Sequence, residues 1–170
     1  MTRFAECLPL ILAHEGGFSN RREDNGGPTN LGVTQRTLSD WLGHAASIEE
    51  VKALTPAAVG PIYDKNYWQA AGCHLLPPGL DYMVFDFAVN SGPGRARRYL
   101  QQAAGVTVDG QIGSQTLAAI GHIGGPAMVE RMANAREMYY KGLDDFPTFG
   151  KGWLNRLAEV TTRAKAWASQ

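Results

Sequence analysis

The sequence has little cysteine, no net charge and no long apolar run. It contains two cysteines in 170 residues, too few for a disulfide framework. The 16 Lys and Arg residues balance the 16 Asp and Glu residues, which argues against a nucleic-acid-binding protein that neutralises phosphates. No apolar stretch approaches the ~20 residues of a membrane-spanning helix. We therefore expect that the protein does not bind nucleic acid and has no membrane-spanning helix.

The sequence also lacks the spacings of metal sites and of serine hydrolases. Its four histidines show no His-x-x-x-His pattern, and no Gly-x-Ser-x-Gly turn supports a Ser–His–Asp nucleophile. Cys7 lies on an apolar stripe, and Cys73 beside His74 has no further ligand spacing. We expect structural roles for both cysteines, and neither a metal ion nor a cofactor.

What the chain does have is the composition of a globular protein, with 44% hydrophobic and 19% charged residues. Its length is enough for one substantial core with a smaller lobe. No long linker interrupts it, so we expect one compact unit with two sub-lobes, acting as a monomer. At the N-terminus, Glu6 and Pro9 interrupt the apolar residues and no small-x-small cleavage site follows. This segment is therefore predicted to be a first helix and not a signal peptide.

Helical periodicity dominates the chain and predicts a mainly α fold. The first helix is predicted over 3–15, with Thr2 as N-cap and with Pro9 causing a kink or a late start. Residues 16–33 are glycine-rich and predict a small β-hairpin. The remaining helices are predicted at 34–42 after the cap Thr34, 47–54 with a capping box, 55–67 after Thr55-Pro56, 80–90 as the central buried helix, 95–104, a short one capped by Ser114, 126–141 and 152–168; residues 70–79 are predicted to be a loop.

Glu15 stands out because it continues the apolar stripe of the first helix, which includes Leu8 and Ile11. Burial disfavours the charged form of a carboxyl, so a sequence selected for folding alone would not place an acid there. Gly16 and Gly17 end the helix immediately. The carboxyl is therefore predicted to open onto a cleft, where it is suited to act as a general acid.

The segment around Glu15 resembles a known enzyme family. It reads His-Glu-Gly-Gly-Phe and then Asp-Asn-Gly-Gly-Pro-Thr-Asn-Leu-Gly-Val-Thr over residues 14–34, and this pattern is similar to the lysozyme-like N-acetylmuramidases of glycoside hydrolase family 108. The resemblance implies a lysozyme-like helical domain with its hairpin near the active site. It also implies cleavage of peptidoglycan glycan strands, the expected partner.

Glycosidic cleavage usually needs an acid and a second group on the opposite face of the sugar. The resemblance implies that Glu15 is the general acid, that Asp24 is the second acid, and that the Thr29 hydroxyl positions the attacking water. Glu23 is the neighbouring alternative to Asp24, which has a structural alternative as a turn residue. Thr34 competes with Thr29 but also suits a helix cap. The long, charged loop between the two acids predicts a wide separation and hence inversion.

Four further residues are candidates for substrate binding together with Thr34. Phe18 lies beside the acid and presents an aromatic face on which a sugar can stack. The amides of Gln35 and Asn90 and the Ser91 hydroxyl suit the N-acetyl groups of the glycan, although Asn90 also suits a helix end.

The resemblance divides the chain at residue 92. Residues 1–92 correspond to the catalytic region and 93–170 to a C-terminal helical region, a possible peptidoglycan-binding sub-lobe. The segments that resemble it include Gln101 and Val108-Asp109-Gly110. Their other interpretation is structural, since Asp-Gly is a turn and the leucines nearby suit a core.

The sequence favours an endolysin-type muramidase that hydrolyses the β-1,4 bond between N-acetylmuramic acid and N-acetylglucosamine. One alternative is an inactive peptidoglycan-binding or regulatory protein, against which the intact Glu15, Asp24 and Thr29 argue. Another is a lytic transglycosylase, which needs one acid and no held water. We expect synthesis in the bacterial cytoplasm and action on the wall after release through a holin or another export route.

Overall fold

The chain forms two compact units, and a computed structural model describes residues 2–20 and 27–170. The first unit is Met1–Lys65 and the second is Asn66–Gln170. Helices dominate both, and the described part contains one small two-stranded antiparallel sheet. The predicted fold class is confirmed. The division into compact units falls earlier than residue 92, whose role as a functional boundary stays a prediction.

The first helix, α1, is Arg3–His14. Its predicted cap is confirmed, because the Thr2 hydroxyl accepts a hydrogen bond from the Ala5 N–H at 3.3 Å. The late start suggested by Pro9 is wrong, since the helix already begins at Arg3. Pro9 cannot bond to the carbonyl of Ala5, but both residues are exposed and water can take that carbonyl.

The predicted hairpin joins β1 (Thr29–Asn30) to β2 (Val33–Thr34), with Asn30 opposite Val33. Ser19 extends this sheet, because its N–H and carbonyl bond to the carbonyl and N–H of Thr29 at 2.8 and 2.9 Å. The segment that follows α1 is thereby held alongside the hairpin.

Three short helices complete the first unit: α2 (Gln35–Leu42), α3 (Ile48–Lys52) and α4 (Pro56–Tyr63). Their predicted caps are confirmed, because the hydroxyls of Thr34, Ser47 and Thr55 accept backbone hydrogen bonds at 3.1, 3.1 and 3.3 Å.

The second unit is organised around α5 (Leu80–Ser91). Before α5 lies a π-helical segment, Asp64–Gln69, whose first residues were predicted to be helical. It is followed by a 3₁₀ turn, Cys73–Leu75, within the predicted loop 70–79. Every residue of α5 from Leu80 to Ala88 is buried, as expected of a central helix. The next helix, α6, is Pro93–Ala104 and begins before the predicted residue because Pro93 suits a first helical turn.

The chain ends with α7 (Ser114–Ile123), α8 (Gly125–Lys141) and α9 (Phe146–Ala168), and α5 packs against α6, α8 and α9. The prediction that Ser114 caps α7 is wrong, because the cap position is Gly113 and no side chain bonds there. Helix α9 starts six residues before the predicted residue 152.

A buried ionic cluster joins α5, α8 and α9. The carboxylate of Asp86 accepts hydrogen bonds from Arg136 at 2.9 Å and from Arg156 at 2.8 Å, and the side chains of Asp86 and Arg136 are 0% exposed. Burial alone would raise the pKa of Asp86, but the charges of Arg136 and Arg156 outweigh it, so the pKa lies below its ordinary value. Burial raises the pKa of Tyr140, whose hydroxyl accepts a hydrogen bond from Arg136 at 2.7 Å.

Candidate active site

Glu15 stands at the C-terminal end of α1, where the sequence places it. Its N–H bonds to the Leu12 carbonyl at 3.2 Å, while its own backbone is extended, with φ −86° and ψ 142°. The helix therefore ends at His14, and Glu15 is its C-cap. The residue is half-buried and is followed by the exposed Gly16 and Gly17. A carboxyl in this position is supported by a helix end and remains within reach of a ligand.

The Glu15 carboxyl lies against the turn of the hairpin. The N–H of Leu31 donates to the carbonyl of Gly16 at 3.1 Å, which fixes the turn next to the end of α1. A Cβ atom placed on Gly32 would lie 3.0 Å from Oε2 and 3.2 Å from Cγ of Glu15. Glycine at position 32 therefore leaves the space that the carboxyl occupies.

The turn itself is strained. Leu31 and Gly32 form its two-residue loop, with φ of 49° and 73°, the signs of a type I′ turn. Leu31 is the one non-glycine residue with positive φ in the part of the chain that the structure describes. Such strain persists where neighbouring contacts enforce it and is concentrated at functional sites.

Tyr63, at the end of α4, is the contact that holds this turn, and the sequence indicated it only as part of an apolar face. The residue is 1% exposed, and its hydroxyl donates to the carbonyl of Leu31 at 2.9 Å. A Cβ atom on Gly32 would overlap that hydroxyl. Tyr63, Gly32 and the carboxyl of Glu15 therefore pack together at one point.

Thr29 and Thr34 are opposite one another in the hairpin but differ in their hydrogen bonds. The Thr34 hydroxyl caps α2 by accepting from the Thr37 N–H at 3.1 Å and also pairs with the Thr37 hydroxyl at 3.0 Å. Among the described residues, the Thr29 hydroxyl has no hydrogen-bond partner. Of the two hydroxyls, that of Thr29 is the more available to a water or a sugar.

Asn30 is a second residue that sequence reasoning missed. Its side-chain amide is buried and donates to the carbonyls of Val51 and Lys52, both at 3.1 Å. These carbonyls belong to the end of α3, and that of Val51 also accepts a hydrogen bond from the Leu54 N–H at 3.2 Å. Asn30 thus anchors the hairpin to α3, a role that no local pattern signals because 21 residues separate Asn30 from Val51.

The predicted binding residues of the first unit have contrasting surroundings. Phe18 is 39% exposed, and the ammonium of Lys52 lies 5.9 Å from its ring centroid. Gln35 donates its side-chain amide to the carbonyl of Ala46 at 2.6 Å, which braces the loop after α2. Phe18 therefore remains a surface suited to stacking, whereas the Gln35 amide already has a structural partner.

The remaining predicted acids lie outside the described residues. This applies both to Asp24 and to its alternative, Glu23. The described residues on either side are brought together by the pairing of Ser19 with Thr29. The role of Asp24 stays a prediction.

Asn90 and Ser91 belong to the second unit, in the last turn of α5. The side-chain oxygen of Asn90 accepts from the Tyr140 hydroxyl and from the Ser91 hydroxyl, both at 2.8 Å. Asn90 thereby extends the buried ionic cluster toward the surface. These bonds support the structural interpretation of Asn90, and a role in substrate binding stays a prediction.

The loop that resembled a binding region is organised by one buried glutamine. Gln101 is 1% exposed; its side-chain oxygen accepts from the Gly110 N–H, and its amide donates to the Asp109 carboxylate, both at 2.7 Å. The hydrogen bond from the Gln101 amide and, after it, that from the Gln111 backbone lower the pKa of Asp109. The internal bonds favour the structural interpretation of this Asp-Gly turn.

Cys7 and Cys73 are buried and are not joined by a disulfide. Within residues 2–20 and 27–170, no group of three or more His, Cys, Asp or Glu side chains is placed to hold a metal ion. In the same part of the chain, no helix has the length and apolarity required to cross a membrane.

Comparison with known proteins gives two family matches and a close structural relative. The model described as glycosyl hydrolase 108 matches residues 8–92, which include Glu15 and the hairpin. The model described as a predicted peptidoglycan domain matches residues 95–158. A solved structure described as that of Brucella abortus SagA is 42% identical, with a TM-score of 0.87 over 98% of this chain and 96% of that chain. No curated protein sequence matches the chain.

The half-buried carboxyl of Glu15 lies within the region matched by the glycosyl hydrolase model, and the peptidoglycan domain follows this region. Together these features define a glycoside hydrolase that acts on peptidoglycan. The chain belongs to the glycosyl hydrolase 108 family. Its predicted C-terminal peptidoglycan-binding region is confirmed at the level of the family match.

Proposed function

We propose that this protein is an endolysin-type muramidase, which hydrolyses the β-1,4 bond between N-acetylmuramic acid and N-acetylglucosamine. The observation that supports this most is the position of Glu15. Its carboxyl stands at the end of α1 and packs against Gly32 in a turn that Leu31 and Tyr63 hold in a strained form. A carboxyl positioned in this way suits proton transfer to a glycosidic oxygen.

In this proposal Glu15 protonates the leaving oxygen, while Asp24 and the Thr29 hydroxyl orient the attacking water. The available hydroxyl of Thr29, in contrast with the capped hydroxyl of Thr34, supports this choice. A neutral hydroxyl suits a held water better than it suits a covalent sugar ester. We therefore propose inversion at the anomeric carbon.

A digest of purified peptidoglycan tests the reaction type. Mass spectrometry of the products should show reducing N-acetylmuramic acid ends. Anhydro-muramic ends would instead identify a lytic transglycosylase, and the absence of new ends would identify a binding protein.

The residue assignment is tested with Glu15→Gln, which keeps the shape and removes the transferable proton. Activity should fall by about 10²- to 10⁴-fold, with the thermal unfolding profile retained. The matched control is Glu49→Gln, at an exposed position in the first turn of α3, which should keep full activity. Equal activities of the two variants would place the acid elsewhere.

Proton NMR of the first-formed anomer on a defined β-linked glycan tests the stereochemistry. The α-anomer should appear first, because a water held by Asp24 and Thr29 attacks from the face opposite the leaving group. Initial formation of the β-anomer would show retention and make a carboxylate the nucleophile.

A further inference from the structure

A groove on the second unit lies between α6 and α8, and its lining includes none of the residues used above for catalysis. Its volume is about 490 Å³. Tyr99 and Gln102 of α6 line one side, and Arg131, Asn134, Met138 and Tyr139 of α8 line the other. Alanines 103 and 135 lie between these larger side chains and leave the depression open.

The groove has a fixed aromatic part and an exposed apolar part. The rings of Tyr99 and Tyr139 meet at 5.4 Å between centroids, and Tyr139 also packs against the buried Phe87 at 5.6 Å. Met138 is 76% exposed beside them. Rigid aromatic surface next to a mobile thioether suits a ligand with both sugar C–H faces and short aliphatic groups.

Three polar side chains of the groove make no internal hydrogen bond within the described part of the chain. Gln102, Asn134 and Arg131 make no side-chain hydrogen bond to any residue that the structure describes. The adjacent Gln101, in contrast, uses both ends of its amide internally. Amide groups and a guanidinium left open along one groove are suited to peptide bonds, acetamido groups and carboxylates.

The charges of the groove have one sign. Arg131 lines it, the Arg95 guanidinium lies 4.8 Å from the centroid of the Tyr139 ring, and no acidic residue contributes to its lining. The acids Glu130 and Glu137 of α8 line a neighbouring groove together with residues of α9, and the two grooves share Asn134. The neutral net charge of the chain therefore conceals a local cationic surface that favours an anionic ligand.

We propose that this groove is where the second unit holds peptidoglycan, with Arg131 binding a carboxylate of the stem peptide, Gln102 and Asn134 binding amide and acetamido groups, and the tyrosines contacting the sugar. The proposal rests on the proposed function for the identity of the polymer. Both walls of the groove lie within the 95–158 segment matched by the peptidoglycan domain model.

Co-sedimentation with purified, insoluble peptidoglycan sacculi tests the proposal, in a Glu15→Gln background so that the polymer stays intact. Arg131→Glu should weaken binding by about tenfold or more, as expected for the loss of a charge-assisted hydrogen bond. Lys151→Glu, at an exposed position of α9, makes the same change in net charge outside the groove and should leave binding unchanged. Gln102→Ala provides a second, uncharged variant, which should weaken binding several-fold.

Sacculi whose carboxylates have been amidated supply the chemical control. They should bind the parent weakly and abolish the difference between the parent and Arg131→Glu. The proposal would be overturned if Arg131→Glu and Lys151→Glu bound the sacculi equally, either both as tightly as the parent or both more weakly. A concentration-dependent dimer that Arg131→Glu dissociates would also overturn it, because the groove would then hold a second copy of the chain. The muramidase proposal fails in a different way: the protein with Glu15 present would bind the sacculi but would release no new reducing ends.

Discussion

Replacing Gly32 with alanine tests whether the hairpin turn positions the candidate acid. Two effects are expected. An alanine at φ 73° is strained by about 1 kcal/mol relative to glycine. Its Cβ would also overlap the Tyr63 hydroxyl and crowd Oε2 of Glu15 at 3.0 Å.

The second effect is the larger one. If the Tyr63 hydroxyl moves, its hydrogen bond to the carbonyl of Leu31 is lost in a site where Tyr63 is 1% exposed. An unsatisfied buried group destabilises a protein by about 1–3 kcal/mol. Gly32→Ala should therefore lower the free energy of unfolding by about 2–4 kcal/mol. A shift of the Glu15 carboxyl of about 1 Å should lower activity by about 10²-fold.

The chain offers a matched control for the strain. Gly43, the left-handed residue that ends α2, has φ 76°, and apart from its chain neighbours no atom of the described residues lies within 4 Å of a Cβ placed on it. Gly43→Ala should therefore show the conformational effect of about 1 kcal/mol alone, with activity unchanged. Urea denaturation and release of reducing ends from peptidoglycan measure the two quantities for both variants.

A double-mutant cycle with Tyr63→Phe isolates the contact. Removing the hydroxyl removes the overlap, so Gly32→Ala should be less destabilising in the Tyr63→Phe background than in the parent. If Gly32→Ala matches Gly43→Ala in both stability and activity, the packing of Gly32 against Tyr63 and Glu15 has no functional consequence and the reasoning is refuted.

Three other predictions concern stability and are measured by urea unfolding. Asp86→Asn should destabilise the protein by about 3–5 kcal/mol, because it leaves the buried Arg136 without its counter-charge. Because the pKa of Asp86 is lower in the folded protein, its ionisation contributes stability above its ordinary pKa of 3.8, and this stability is lost as the pH falls through the folded pKa. The free energy of unfolding of Asp86→Asn should therefore depend less on pH in the acid range than that of the parent. An unchanged pH dependence would contradict the assignment. Asn30→Ala should remove about 1–3 kcal/mol, mainly because the Lys52 carbonyl loses the donor that the Asn30 amide supplies, and a loss below 0.5 kcal/mol would mean that water replaces the amide. Gln101→Ala should destabilise clearly more than Gln102→Ala, because Gln101 is buried and fully bonded whereas Gln102 is exposed; equal effects would remove the organising role of Gln101.

Local signals in the sequence predicted local structure well. Thr2, Thr34, Ser47 and Thr55 all cap the helices they precede, because a cap bonds to a backbone N–H only three residues away. Gly43 likewise ends α2 in the left-handed conformation. These features depend on short-range geometry and need no knowledge of the fold.

Helix starts were predicted less well where glycine packs closely. The start of α9 was predicted at residue 152, whereas the helix begins at Phe146 and includes Gly150. In the structure, a Cβ on Gly150 would collide with the ring of Phe146, so glycine there serves the packing of a helix that is already under way. Pro147 fits within the first turn.

The residues that hold the candidate site in place could not be predicted from local sequence patterns. Tyr63 reaches a carbonyl 32 residues away, and Asn30 reaches α3 across 21. Sequence periodicity marks such residues as buried but does not name their partners. The position of Glu15 was predictable because the stripe of α1 and the two glycines after it both act within a few residues.

The ionic cluster of the second unit limits where the chain can be divided into fragments that fold. Its carboxylate comes from α5, which lies within the segment matched by the hydrolase model, whereas both of its arginines come from α8 and α9 beyond residue 92. A fragment ending at residue 92 would expose the apolar surface of α5 and leave Asp86 without a cation. The two family segments are therefore not exchangeable modules, and chimeras with related enzymes should be joined near residue 65, where the first compact unit ends.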